Sequence, residues 1–488
     1  MSWMLWYTIA GLASLGHASL EKRATDASAY CSDSSGTYKL SSITAPVQGS
    51  GSPGSASTWK LSIDDTSSGH KQAITGFGAA VTDATVTSFN TLSSSTLQQL
   101  LNELMTSDGA NFSLMRHTIG ASDLSGDPVY TYDDNGNEAD PSLSGFGLGD
   151  RGTAMAEMLA TMKSLQSDLK VLGSPWSAPG WMKLNGVIDG NATDNNLNDG
   201  YLTSGGTGST GYSSAFAQYF VKYIQAYEAL GATVDAITIQ NEPLNSQSGY
   251  PTMYVYDYES AQLIQKYIGP ALADAGLSTE IWAFDHNTGN PQTVLDEASQ
   301  YVDTVAWHCY AKDVDWTVLS QFYSANPGVK QYMTECWTPA SGSWHQAADF
   351  TMGPLQNYAS GVMAWTLGTN TDDGPHLTSG GCDACQGLVT INDDDSYTLN
   401  TAYYMMAQFS KFMPPGATVL NGTGSYTYSG GDGVQSVASL NPDGTRTVII
   451  ENIFSNDIYL TLSTESGEEW SGNIPSESVT TWVLPALS

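Results

Sequence analysis

The chain has 488 residues, 41% of them hydrophobic and only 13% charged. Its 49 acidic residues against 16 Lys and Arg leave a formal charge of −33. The apolar content excludes a disordered chain, and the charge excludes a nucleic-acid partner and an anionic membrane surface; the length allows one large barrel with a smaller appended domain.

In chain order, apolar residues dominate from Trp3 to Leu15 and are followed by the small pair Ala18-Ser19. This reads as a secretory signal. Lys22-Arg23 then reads as a processing site, so residues 1–23 are assigned to signal peptide and propeptide and a secreted, extracellular protein is expected. No later run reaches about 18 apolar residues, so no membrane anchor is expected. Sequons at Asn111, Asn191 and Asn421 agree with export. Residues 24–70 are rich in Ser, Thr and Gly but contain the strand-like Trp59-Lys60-Leu61-Ser62-Ile63, and are expected to join a β-sandwich.

From 71 to 410 short apolar runs alternate with helical patterns, the signature of repeated βα units. Eight strands are predicted, at 74–81, 112–119, 169–174, 234–240, 280–284, 302–307, 331–334 and 361–367. Helices are predicted over 214–230 and 260–275, where apolar residues recur at 3–4 spacing. Eight such units close an α/β (β/α)8 barrel. A polar insertion at 180–213 follows the third strand and belongs on the catalytic face. The tail, 411–488, reads as a β-sandwich with strands at 433–440, 445–454, 458–462 and 478–484 and a turn at Asn441-Pro442-Asp443-Gly444.

Five cysteines remain: Cys31, Cys309, Cys336, Cys382 and Cys385. In an oxidising compartment Cys382 and Cys385 suit a small loop staple. They lack the second ligand pair a metal site needs, so no metal is expected. Pairing among the other three stays open, and the odd count leaves one thiol free unless a partner chain takes it.

Retaining hydrolysis of a glycosidic bond needs two carboxyl groups, one protonated and one ionised, facing across a cavity. Barrel chemistry sits at the C-terminal ends of strands. Glu242 ends the fourth predicted strand in Gln240-Asn241-Glu242-Pro243, and Glu335 ends the seventh in Thr334-Glu335-Cys336. Arg116, on the second strand, needs a carboxylate partner inside a barrel. Glu335 is the expected one, with Asp123 or a loop acid as the alternative. Such a pair would keep Glu335 ionised, and repulsion from Glu335 would keep Glu242 protonated. Aromatic residues gather at strand ends: Trp176, Trp181, Trp307, Tyr310, Trp337 and Trp365, with His308 among them. Aromatic faces suit the C–H faces of sugars, with core packing as the alternative. Tyr310 could donate to Glu335. No phosphate loop, zinc-protease helix or nucleophile elbow is present.

These motifs together resemble glycoside hydrolase family 30. The resemblance rests on Gly76-Phe77-Gly78-Ala79-Ala80 with Asp83, Arg116 with Ser122-Asp123-Leu124, and Ser174-Pro175-Trp176-Ser177-Ala178-Pro179-Gly180-Trp181-Met182-Lys183. It continues through Asn241-Glu242-Pro243, His308-Cys309-Tyr310, Thr334-Glu335-Cys336 and Trp365. It implies Glu242 as acid/base, Glu335 as nucleophile, and Asp123, Trp176, Asn241 and Trp365 around the terminal sugar, with Arg116, His308, Tyr310 and Trp337 among the expected substrate-binding residues. The chain looks most similar to the secreted fungal endo-β-1,6-glucanase branch, which implies a monomer acting on β-glucan without a cofactor. The alternatives are a glucosylceramidase-like or xylanase activity, or a non-catalytic carbohydrate-binding protein.

Overall fold

The computed structural model describes residues 26–198, 212–245, 247–311, 314–337, 344–422, 425–427 and 433–487. The signal segment, part of the polar insertion and the end of the Asn421 sequon lie outside the described residues. No described helix is long and apolar enough to cross a membrane.

Eight parallel strands form a closed barrel. They are β1 (Gly76–Val81), β2 (Leu114–Ile119), β3 (Lys170–Pro175), β4 (Ala236–Thr238), β5 (Glu280–Asn287), β6 (Thr304–His308), β7 (Lys330–Glu335) and β8 (Gly361–Ala364). All eight predicted strands are present. Strand β1 is buried along its whole length, and Gly78 shows why small residues are needed there. A Cβ at Gly78 would stand 1.8 Å from the Leu114 carbonyl oxygen, so any side chain would push β1 off β2.

The lower interior of the barrel is filled by Leu114, Leu172, Ala236, Trp282, Ala306, Tyr332 and Met363. Trp282 and Tyr332 stack with ring centres 4.1 Å apart. Burying each large side chain contributes roughly 1.5–3 kcal/mol, so this plug fixes the strand ends above it. The helix over Ser213–Ala229 lays Phe216, Phe220, Ile224 and Tyr227 against the strands. The second predicted helix is longer and irregular: α-helix from Asp257, a π turn at Ile264–Ile268, then α-helix to Asp274.

The second domain is built from both chain ends. Ser28–Asp33 pairs antiparallel with Ser478–Leu484, and Ser57–Asp64 pairs parallel with Ile458–Thr464. Its core holds Leu61, Ile63, Val448, Ile450, Leu460 and Trp482. Among the strands that escape the sequence pattern are Thr418–Gly422 and Glu469–Ile474. Both carry Gly and polar residues that blur the period-2 alternation.

Among the cysteines, Cys382 is joined to Cys385 and Cys309 to Cys336. Cys31 is buried and free. Asn191 and Asn421 are exposed, whereas Asn111 is half-buried and its amide oxygen accepts from Gln166 at 2.8 Å.

Candidate active site

Strand ends deliver the polar residues to one mouth of the barrel. Glu335 is the last residue of β7 and is only 5% exposed. Arg116 Nη1 donates to its Oε2 at 2.6 Å, and the Tyr310 hydroxyl donates to its Oε1 at 2.8 Å. Each carboxylate oxygen therefore has a donor, which fixes the group and leaves its remaining lone pairs to the cleft. The expected Arg116–Glu335 pair is formed; Asp123 is not Arg116's partner.

Arg116 has a second acid, which the sequence reading missed. Its Nη2 donates to Asp285 Oδ2 at 2.8 Å and to Asn241 Oδ1 at 2.6 Å. Asp285 is fully buried and collects hydroxyls from Ser174, Thr238 and Thr334 and a ring nitrogen of His308. Burial would raise the Asp285 carboxyl, but Arg116 and His308 outweigh it and hold it well below the usual carboxylate range. Its signal was available: an acid directly after the apolar run of β5. The register shift between Phe284 and His286, a bulge of the kind that re-aims side chains, turns it inward.

Glu242 follows β4 and sits at φ 43°, in the left-handed region. Non-glycine residues there carry strain that clusters at functional sites. Its main-chain N–H donates to the Asp285 carbonyl at 2.9 Å. Its Oε2 accepts from Asn245 at 2.7 Å, and its Oε1 lies 3.4 Å from His308 Nδ1. The other nitrogen of the same ring, Nε2, lies 3.9 Å from Glu335 Oε2. One imidazole thus stands between the two carboxylates.

Burial lowers the basicity of His308, but Glu335 and Asp285 outweigh burial and raise its pKa to about 10. The ring is therefore a cation at neutral pH. This corrects the expected electrostatics. Burial pushes Glu335 up, against His308 and Arg116. Burial also pushes Glu242 up, but the His308 contact and charge and the Asn245 amide bring it below its ordinary value. In the free site His308, rather than repulsion from Glu335, governs Glu242.

The cleft above these groups has a volume of about 480 Å³. Asp123, Trp176, Asn241, Glu242, Tyr310, Glu335, Trp337 and Trp365 all line it. Trp176 and Trp365 stack with ring centres 5.2 Å apart. Trp337 is 36% exposed and stands at the rim. Burial, with Glu335 and Glu242 nearby, raises Asp123 to about 7.

Two expected substrate contacts are displaced. Arg116 and His308 are fully buried and do not line the cleft; they lie beneath it and act through the carboxylates. Two aromatics leave the sugar platform as well. Trp307 is fully buried with its Nε1 on Gln331, and Trp181 is buried with its Nε1 on the Asp133 carbonyl. Their strand-end positions resemble those of Trp176 and Trp365, but their rings pack into the core. Asn245, Tyr250 and the Cys382–Cys385 loop also line the cleft, from loops that no periodic pattern marks, and so does Asn287 at the end of β5.

The glycosyl hydrolase family 30 TIM-barrel domain matches residues 74–413, and the beta sandwich domain of that family matches 416–482. The chain is 80% identical over 479 residues to endo-1,6-beta-D-glucanase neg1 of Aspergillus fumigatus, covering 98% of each chain. It is 71% identical to endo-1,6-beta-D-glucanase BGN16.3 of Trichoderma harzianum, covering 95% of this chain and 94% of the other. Among solved structures, the endo-beta1,6-glucanase BT3312 superposes with a TM-score of 0.79 at 28% identity, over 95% of this chain and 99% of that one.

Proposed function

The chain belongs to glycosyl hydrolase family 30, and on that premise we propose that Glu335 and Glu242 cleave internal β-1,6-glucosidic bonds of a β-glucan by double displacement. A Glu335 oxygen attacks the anomeric carbon as the bond to the leaving oxygen breaks. The Glu242 proton passes to that oxygen. In the second step Glu242 takes a proton from water, the water oxygen attacks the same carbon, and the ester to Glu335 breaks. Two inversions give retained configuration.

The observation that carries the roles is the unequal support of the two acids. Glu335 is clamped from both sides by Arg116 and Tyr310, as a nucleophile that must not rotate requires. Glu242 keeps more exposure, with 15% of its side chain accessible, as a group that must exchange protons with water requires. A sugar filling the cleft removes water from Glu242 and strengthens the burial that already raises it. That shift opposes His308 and favours the protonated acid at the moment of attack.

The substrate rests on identities of 80% and 71% with enzymes named for β-1,6-glucan, across nearly the whole chain. Stacked Trp176 and Trp365 beside polar Asp123 and Asn241 suit a neutral sugar with apolar C–H faces. The test pairs Glu242→Ala with Glu335→Ala on an aryl glycoside. Azide should restore turnover of the first through a β-glycosyl azide, and of the second, if at all, only through an α-glycosyl azide. Reversed stereochemistry would exchange the roles. Pure β-1,6-glucan should yield a ladder of oligosaccharides, while xylan and a glucosylated lipid should stay intact. Cleavage of xylan or the lipid but not of the glucan would refute the substrate.

Export as a monomer completes the reading. The apolar segment Trp3 to Leu15 supports export. N-terminal sequencing of secreted protein should find a start near Ala24, and light scattering should give a single-chain mass.

A further inference from the structure

Glu335 is gripped by two donors of unequal rigidity. Arg116, on its Oε2, is fully buried on β2 and is itself oriented by Asp285 of β5. Tyr310, on its Oε1, stands past the end of β6 in a segment without regular structure. It is 37% exposed, and its ring meets His308 edge-on with centres 5.9 Å apart. Packing alone therefore leaves this side chain loosely held. A loosely held side chain loses conformational entropy whenever its hydroxyl must meet a fixed carboxylate.

Asn287, the last residue of β5, ties that segment down. Its Oδ1 accepts the Tyr310 main-chain N–H at 2.7 Å. The residue before, Cys309, is joined to Cys336, and its N–H donates to the Glu335 carbonyl at 3.3 Å. Those contacts anchor Cys309 but do not set the direction in which Tyr310 leaves it. Asn287 stands on firmer ground than the residue it holds. It is half-buried and lies in register with His308 in the β5–β6 ladder.

We propose that Asn287 is a positioning residue for the reaction: by accepting the Tyr310 amide it fixes the segment after β6 and keeps the Tyr310 hydroxyl on Glu335. The inference rests on the role proposed above for Glu335. Asp285 and Asn287, two residues apart on β5, then serve the two oxygens of one carboxylate through two different donors. A nucleophile must be held within about 0.5 Å of its productive position. A drift of the segment would free Oε1 and let the carboxylate turn about its Arg116 contact. An amide suits the task, because it accepts an N–H without placing a third negative charge beside Glu335 and Glu242. Asn287 also lines the cleft, so direct contact with a sugar is the rival that the experiment must separate.

Steady-state kinetics on pure β-1,6-glucan, with a melting curve for each protein, compare the parent with Asn287→Ala, Tyr310→Phe and the double variant. Asn287→Ala should lower kcat about 10-fold, with KM unchanged and Tm within about 2 °C of the parent. Added to Tyr310→Phe it should lower kcat no further, because the hydroxyl it positions is gone; the two losses should be strongly non-additive. Asn287→Ser, whose hydroxyl is too short to reach the amide, supplies the same cycle if the alanine variant loses its fold. Additive losses would make Asn287 independent of Tyr310 and overturn the proposal, as would a kcat equal to the parent's. A raised KM at unchanged kcat would make Asn287 a sugar contact and overturn it as well. Reversed azide stereochemistry would overturn the role of Glu335 while leaving the coupling between Asn287 and Tyr310 to be read from the cycle.

Discussion

Arg116 in the barrel and Arg446 in the sandwich are both fully buried, both leave Nε without a partner, and both clamp a carboxylate, at 2.6 and 2.7 Å. Around Arg446 the clamped carboxylate is closed in, the Arg446 and Asp65 side chains both being fully buried. Asp65 also accepts from the Ser466 amide and hydroxyl, and Glu468 and the Pro485 carbonyl take the other guanidinium nitrogen. That cluster ties the N-terminal segment to the last strands. Around Arg116 the closure is one-sided. Asp285 is sealed beneath, but Glu335 keeps a face on the cleft. The same ion pair is structural when both partners are walled in and chemical when one of them can reach a substrate.

Exchanging charge for neutral isosteres should separate the two clusters. Glu335→Gln should lower hydrolysis by about 10⁴-fold or more, as loss of a nucleophile does, with Tm within about 2 °C of the parent. Rates on β-1,6-glucan beside a melting curve check this; a large fall in both would make Glu335 a structural acid. Asp65→Asn should do the reverse. Removing one partner of a buried pair costs about 3–5 kcal/mol, read from denaturant unfolding, while kcat of the folded enzyme should match the parent. If kcat falls with stability, the sandwich is coupled to the site more tightly than its closed network implies.

Tyr310→Phe sharpens the contrast within the barrel. A hydrogen bond to a charged group is worth about 1.5–3 kcal/mol, so kcat should fall about 10- to 100-fold with little change in Tm. Unchanged kcat would mean that Arg116 alone suffices to hold Glu335.

The same one-sidedness explains what the sequence could reveal. All eight barrel strands were legible, because buried parallel strands are continuous apolar runs between helical patterns. Glu242 and Glu335 were legible because each directly ends such a run. Asp285 ends one too, but a bulge extends β5 beyond its apolar part, so the acid read as loop. Arg116 and His308 were singled out as substrate contacts and lie beneath the cleft, since a sequence does not say whether a polar residue faces the cleft or lies beneath it. The sign of the Glu242 shift depended on a cation, His308, that is charged only because Glu335 and Asp285 surround it.

The last effect concerns an acid that neither cluster neutralises. Glu451 is buried in the sandwich, accepts from Gln435, and has Asp349 of the barrel as its charged neighbour. Burial, far more than Asp349, raises its carboxyl from 4.5 to about 8, against the Gln435 bond. A carboxyl raised on folding holds its proton in the native state while the unfolded chain has lost it. Its contribution is therefore fully present below about pH 4.5 and is lost as pH rises toward 8. The loss approaches about 1.4 kcal/mol per pH unit, on the order of 1 °C in Tm per unit for a chain this long. Glu451→Gln keeps the shape and the hydrogen bond but cannot ionise. Parent and variant should melt together near pH 4.5 and diverge steadily toward pH 8, the variant being the more stable. Parallel curves would mean that Glu451 ionises freely in the folded state, and that the seam between barrel and sandwich is wetter than its burial indicates.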